Sequence, residues 1–372
     1  MFLDNIYPIQ FIPDILNVLF FFSILIFLSI TWKIKKKHFT ILSISLFSPF
    51  LFYYFLPWTF LPDQSKYSDL VYNFRNFVYD KDISTLLSRT NFSSLLLALF
   101  PIPFVTSIIS VALINKGILF AIVLFFLKKK KYYFIINILL LLPSMMVISS
   151  VALRDMLVIA LGILFFYFSI EKKKYFISFF FGVSLLFTKS YFGILCISIS
   201  IAYYIFFVRF NFNKLNNISI IILNLSIIFY FILLIFFHNQ IIDFRQGFYL
   251  EELNFSEIVI MTEHVQLFTI LSSFTNFLFS PLSTNQLTLF NILIFIENIF
   301  IIYLVILFLR LIYKENQFKA VLWLLIWLIS FGLFGFVVFN AGTIWRYKLI
   351  LQVVYLCAMY FSLKNNKQIN LL

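Results

Sequence analysis

The feature that most narrows what this chain can become is a series of hydrocarbon runs, each stopped by lysines. Phe11 to Trp32 ends at Lys33, Lys35, Lys36 and Lys37; Pro101 to Leu127 ends at Lys128 to Lys131; a run from near Tyr132 reaches Lys172, Lys173 and Lys174. A helix needs about 20 predominantly apolar residues to cross the hydrocarbon of a bilayer. Several runs meet that length, and with 63% of residues hydrophobic and 12% charged no water-soluble core could absorb so much apolar surface. The expected fold is all-α: a polytopic helical membrane protein, one integral membrane domain over residues 1–372.

A formal charge of +13 suits nucleic acid only if it gathers on a soluble face, and here its distribution follows topology instead. Lys and Arg accumulate in cytoplasmic loops. None precedes the first run, where Asp4 and Asp14 lie, so the N-terminus is expected outside and the basic start of a signal peptide is missing. The chain then alternates: residues 40–61 run outward, a polar outer loop covers about 62–94, and 101–127 return as a single long tilted helix. Lys116 falls near mid-membrane in that helix and either snorkels or faces a wet cavity. Residues 132–170 go out and back around Arg154. Residues 175–208 do the same around Lys189, with an outward leg too short to cross upright, which sinks Lys189 below the surface. Residues 218–237 lead to a second outer loop, 238–286, in which Pro281 breaks an apolar piece into a re-entrant or interfacial segment. A span over 287–309 carries Glu297, and two last spans, 320–339 and 349–361, are joined outside by residues 340–348. The sum is about eleven spans, N-terminus out and C-terminus in. Inner segments hold 18 of the 28 Lys and Arg but only 2 of the 15 acids, which removes the charge argument for nucleic acid.

In the first outer loop Tyr67, Leu70, Val71, Phe74, Phe77 and Val78 recur at three- and four-residue spacing. That periodicity predicts a helix with one apolar face, expected to lie in the membrane interface. Its polar side carries Asp69, Asn73 and Asn76, with Asp63 just upstream.

The chemistry centres on PSMMVISSVALRD, Pro143 to Asp155, an Arg–Asp pair between two apolar runs. An ionisable group at the mouth of two spans is costly unless paired or wetted, and so is a candidate for function; the plainer reading puts Asp155 on a helix dipole and Arg154 among headgroups. The outer face also presents Lys189, Arg245, Arg346 and Lys348. Cations around one external cavity would suit a diphosphate, since transfer from a lipid diphosphate builds negative charge on the leaving group. Taken singly, each is equally an interfacial side chain. Candidates for acid–base work are Asp63, Asp69, Glu263 and His264, all readable as solvated loop residues, whereas embedded Glu297 is expected to pair with a cation on a neighbouring helix. Cys196 and Cys357 fall inside spans. No metal-ligand spacing, phosphate loop or HExxH pattern occurs, so neither metal nor cofactor is expected.

The order of these features carries a resemblance. The PS…SSVALRD element, a lysine-rich inner turn, a short span ending at Lys189, SPL (280–282) before the Glu297–Asn298 helix, and the late NAGTIWRYK stretch (340–348) resemble the polytopic O-antigen and exopolysaccharide polymerases of bacteria. The PDQSKYSD segment (62–69) is similar to the acidic first outer loop of that group. What the resemblance implies is a multi-pass protein of the bacterial inner membrane. It would transfer a polyprenyl-diphosphate-linked oligosaccharide onto another such chain at the outer leaflet, with Arg154 and Arg346 binding diphosphate. Lys189 stands where arginine is expected. A membrane glycosyltransferase using a polyprenyl-phosphate sugar, with Asp63 or Asp69 as its acid, and a lipid-linked glycan transporter are the other two readings.

Overall fold

The computed structural model describes residues 7–32, 34–55, 63–76, 88–128, 130–210, 275, 277–279, 289–338 and 341–363. Among them the structure is helical, with one isolated bridge between Tyr7 and Ser107 and no strand. Five helices are long and apolar enough to cross a membrane: Phe11–Trp32, Ile108–Leu127, Ser190–Arg209, Asn291–Glu315 and Gln317–Gly335. The chain divides into two compact units, Met1–Ser200 with Asn365–Leu372, and Ile201–Lys364.

The first unit is arranged around Ile108–Leu127, which carries hydrocarbon all round apart from Ser110, Asn115 and Lys116 and is buried along nearly its whole length, as a helix without an extended polar face must be. It packs against Phe11–Trp32, Ser48–Phe55, Asp63–Arg75, Arg89–Ala98, Tyr133–Leu141 and Asp155–Phe166. Its start corrects the single helix expected over 101–127. Pro101 and Pro103 supply no backbone N–H and disfavour helix in the residues before them, and helix begins only at Ile108, where Ser107 and Ser110 cap one another reciprocally. The extended stretch before it is tied down by Asn17, whose amide donates to Phe104 O at 2.7 Å and accepts from Phe104 N at 3.0 Å. Buried Asp14 accepts from Ser107 Oγ at 2.6 Å.

Two further expectations change. The second span, expected over 40–61, is a pair of short helices, Lys36–Ser45 and Ser48–Phe55. Ser45 and Ser48 turn their hydroxyls onto Leu42 O and Ser45 O, and Pro49 has no N–H with which to continue the first helix. The loop helix forms over Asp63–Arg75, but its inner face is Gln64, Ser65, Tyr67, Ser68 and Val71, all buried. Tyr67 and Val71 lie where the periodicity puts them, yet they meet protein and share that face with polar groups. Arg75 fastens the helix by donating to Ala98 O at 2.9 Å, Ile102 O at 2.6 Å and Phe100 O. Phe77 and Val78 lie outside the described residues.

The second unit contains Leu289–Glu315, Gln317–Val337 and Ala341–Ser362. The last begins seven residues before Lys348, so Arg346 and Lys348 belong to a helix and not to a connecting loop. The outer loop 238–286 and the span over 218–237 lie outside the described residues, save for Thr275 and residues 277–279.

Candidate functional site

Between Tyr133–Leu141 and Asp155–Phe166 the chain makes a short helix, Pro143–Ile148, and then a non-helical bend, Ser149–Arg154. Pro143 ends the preceding helix because it cannot donate to its ladder. The bend is interior: Ser149, Ala152 and Leu153 are fully buried. Irregular backbone at such depth persists only where its polar groups find partners. Asn115 donates both amide hydrogens, to Val151 O at 2.6 Å and Leu153 O at 2.7 Å. Gln64 Oε1 accepts from Ala152 N at 3.0 Å. Lys116 Nζ donates to Ser149 Oγ at 2.8 Å and to Met146 O at 3.3 Å, and Ser48 and Ser150 share a hydrogen bond of 2.7 Å. Lys116 therefore neither snorkels nor opens into a cavity. A small cleft beside the bend is lined by Phe52, Tyr53, Gln64, Ile109, Ala112 and Ser150.

So held, the bend delivers Arg154 and Asp155 to a second break, at Lys189, where Tyr175–Thr188 gives way to Ser190–Tyr203. Half-buried Arg154 donates from Nη1 to Thr188 O at 2.9 Å and lies 5.8 Å from the centroid of the Tyr67 ring. Lys189 Nζ reaches Asp155 Oδ1 at 3.3 Å, and both side chains are buried. Lys189 is thus buried within the protein, and its charge is matched. Arg89, exposed in the first turn of Arg89–Ala98, lies over the Tyr191 ring at 5.6 Å. Phe92 beside it packs on Phe187 at 5.2 Å.

The result is two guanidiniums over tyrosine ring faces, at 5.6 and 5.8 Å from the centroids, on either side of the one-residue junction at Lys189. Among the described residues neither meets a carboxylate, and Arg154 Nε and Nη2 donate to no protein atom. A guanidinium held over a ring face is attracted there without using its N–H groups, which stay available to planar, bidentate anions. Arg89 went unnoticed in the sequence because it sits in a polar stretch far from any apolar run; Ser88, whose hydroxyl caps the helix at Asn91 N, is the signal that could have placed it on a rigid element.

Of the remaining sequence candidates, Asp63 is exposed at the start of its helix and Asp69 is half-buried one face round from Tyr67. Arg245, Glu263 and His264 lie outside the described residues. Arg346 is half-buried and Lys348 buried in the second unit, where Glu297, Asn298 and Gln352 are buried as well. There Lys348 lies within electrostatic range of Glu297 and 3.5 Å from Leu278 O, and Gln352 donates to Asn298 at 3.3 Å. Among the described residues no group of His, Cys, Asp and Glu could hold a metal ion. Comparison with protein-family models, curated proteins and solved structures gives no match, so geometry carries the functional argument.

Proposed function

We propose that this is a bacterial inner-membrane protein of surface-polysaccharide assembly, polymerase-like, transferring glycan repeat units carried on a polyprenyl diphosphate at the outer face of the membrane. The observation that supports it is the pair of guanidiniums over tyrosine ring faces, Arg154 and Arg89, beside the helix junction at Lys189. In such a transfer the acceptor hydroxyl oxygen bonds to the anomeric carbon as the bond from that carbon to the diphosphate oxygen breaks. The diphosphate leaves with the electron pair, and the hydroxyl proton passes to a base, for which Asp63, Asp69 and His264 are the candidates. Charge grows on the departing diphosphate, and pre-positioned guanidiniums stabilise it more in the transition state than in the ground state. Lys189, matched by Asp155, holds the break together in this reading, while Arg245, Arg346 and Lys348 are further proposed cation contacts. The sequence resemblance points the same way.

The test is the length distribution of lipid-linked and surface glycans in cells carrying the intact protein, Arg154→Ala or Arg89→Ala at matched membrane levels. Collapse of long chains to single repeat units that still reach the outer leaflet is the expected result. Units stranded on the inner leaflet would make the protein a transporter. Units lacking one sugar would make it a single-sugar transferase, and Asp63→Asn and Asp69→Asn would then be the variants that abolish activity.

A further inference from the structure

Three lysine clusters, separated by about 40 to 90 residues of chain, converge at one end of the first unit, the end opposite Arg154 on the stretch Asp155–Glu171. Lys35 Nζ lies 4.7 Å over the Tyr133 ring, Lys128 Nζ 4.2 Å over Trp32, Lys131 Nζ 4.7 Å over Tyr132 and Lys172 Nζ 5.7 Å over Tyr167. The rings themselves interlock, Tyr132 on Tyr167 at 5.8 Å and His38 on Tyr133 at 5.5 Å. At the tip of the third cluster Lys173 takes a φ of 53°, a left-handed conformation that costs a lysine energy. It is imposed by Lys172 N and Lys174 N, which donate back to Tyr167 O and Phe168 O at 2.9 and 2.7 Å.

A ring face attracts a cation but carries no net charge, so these contacts orient the ammoniums without neutralising them. Glu171 is the acid at this end among the described residues, and Lys131 takes it. Lys35, Lys36, Lys37, Lys128, Lys173 and Lys174 remain exposed. Directly beside them stand exposed apolar side chains: Phe27, Ile30 and Trp32 on the first helix, Tyr175 and Phe176 after the third cluster.

We propose that this end of the unit is a binding surface for acidic phospholipid headgroups, with phosphate on the ring-oriented lysines and acyl chains along the adjoining apolar faces. A soluble polyanion would match the charge but bring no acyl chains to the adjoining apolar faces. A zwitterionic lipid would cover the hydrocarbon and bring no net charge.

The experiment uses the full-length protein, purified in a neutral detergent, and measures bound phosphatidylglycerol against phosphatidylcholine by native mass spectrometry. Phosphatidylglycerol should be retained preferentially. Combined replacement of Lys35, Lys128, Lys173 and Lys174 by Gln should weaken it about fivefold per lysine lost, whereas replacement of the same four by Arg should leave it unchanged. Raising NaCl from about 50 to about 500 mM on the unmodified protein should release the lipid as screening shortens, a reading that needs no variant to fold. Equal retention of both lipids, indifference to salt, or displacement by an RNA oligonucleotide at matched phosphate concentration overturns the proposal.

Discussion

Asn115 gives both of its amide hydrogens to carbonyls more than 35 residues away, on backbone that belongs to no helix. Its neighbour Lys116 is equally buried but meets only a hydroxyl and one carbonyl. Leaving a buried polar group without its partner costs about 1–3 kcal/mol, so Asn115→Leu, which orphans two, should lower the thermal stability of the purified protein markedly. Lys116→Met should be much milder. It removes an ammonium whose partners repay little of its desolvation, and the Ser149 hydroxyl still donates to Met145 O at 2.7 Å. A Lys116→Met variant less stable than Asn115→Leu would show that the bend hangs from the ammonium. The sequence marks both residues as interruptions in an apolar run. Their partners were not legible there, because a main-chain carbonyl bared by a bend has no residue type to betray it.

Whole helices were more legible than their ends. Phe11–Trp32 stands where its hydrocarbon run does, and the short leg 176–188 is the helix Tyr175–Thr188, with Lys189 buried at its end. Boundaries moved where local chemistry overrides hydropathy: at Pro101 and Pro103, at Ser45 and Ser48, and at Ala341, where helix runs on through a stretch that composition reads as a turn. The break at Thr188 depends on Gly193. A Cβ there would stand 2.7 Å from Leu186 N and 2.9 Å from Leu185 C, main-chain atoms of the preceding helix that cannot rotate aside. Gly193→Ala should therefore push Ser190–Tyr203 away from Tyr175–Thr188, at a cost of about 1–3 kcal/mol. It should also loosen Arg154 from Thr188 O, seen as a lower unfolding temperature together with shorter glycan chains. A variant as stable as the parent would mean that the two helices cross more loosely than this.

For the whole molecule, composition and the rhythm of lysine clusters were enough to expect a helical membrane protein. Which side of the membrane each end faces is open to direct measurement. Cys196 and Cys357 are fully buried and should leave a low background for labelling. With the topology read from the lysines, Arg89→Cys should react with a membrane-impermeant maleimide on intact cells, and Lys173→Cys only after the inner face is opened. The reverse pattern would put the guanidinium pair on the cytoplasmic side and end the case for work at the outer leaflet.

The bend itself has a consequence for biosynthesis. Among the described residues, the side chains from elsewhere in the chain that satisfy Met146 through Leu153 come from Ser48, Gln64, Asn115 and Lys116, and all of them precede it. Only Arg154 reaches forward, to Thr188. A growing chain thus makes the hosts before the guest. When the bare carbonyls of Val151 and Leu153 leave the ribosome, the amide that will receive them has already been synthesised, and the non-helical bend need never be exposed to lipid without a partner. Were the bend's segment made ahead of its partners, that protection would be lost even with every contact in the finished protein the same.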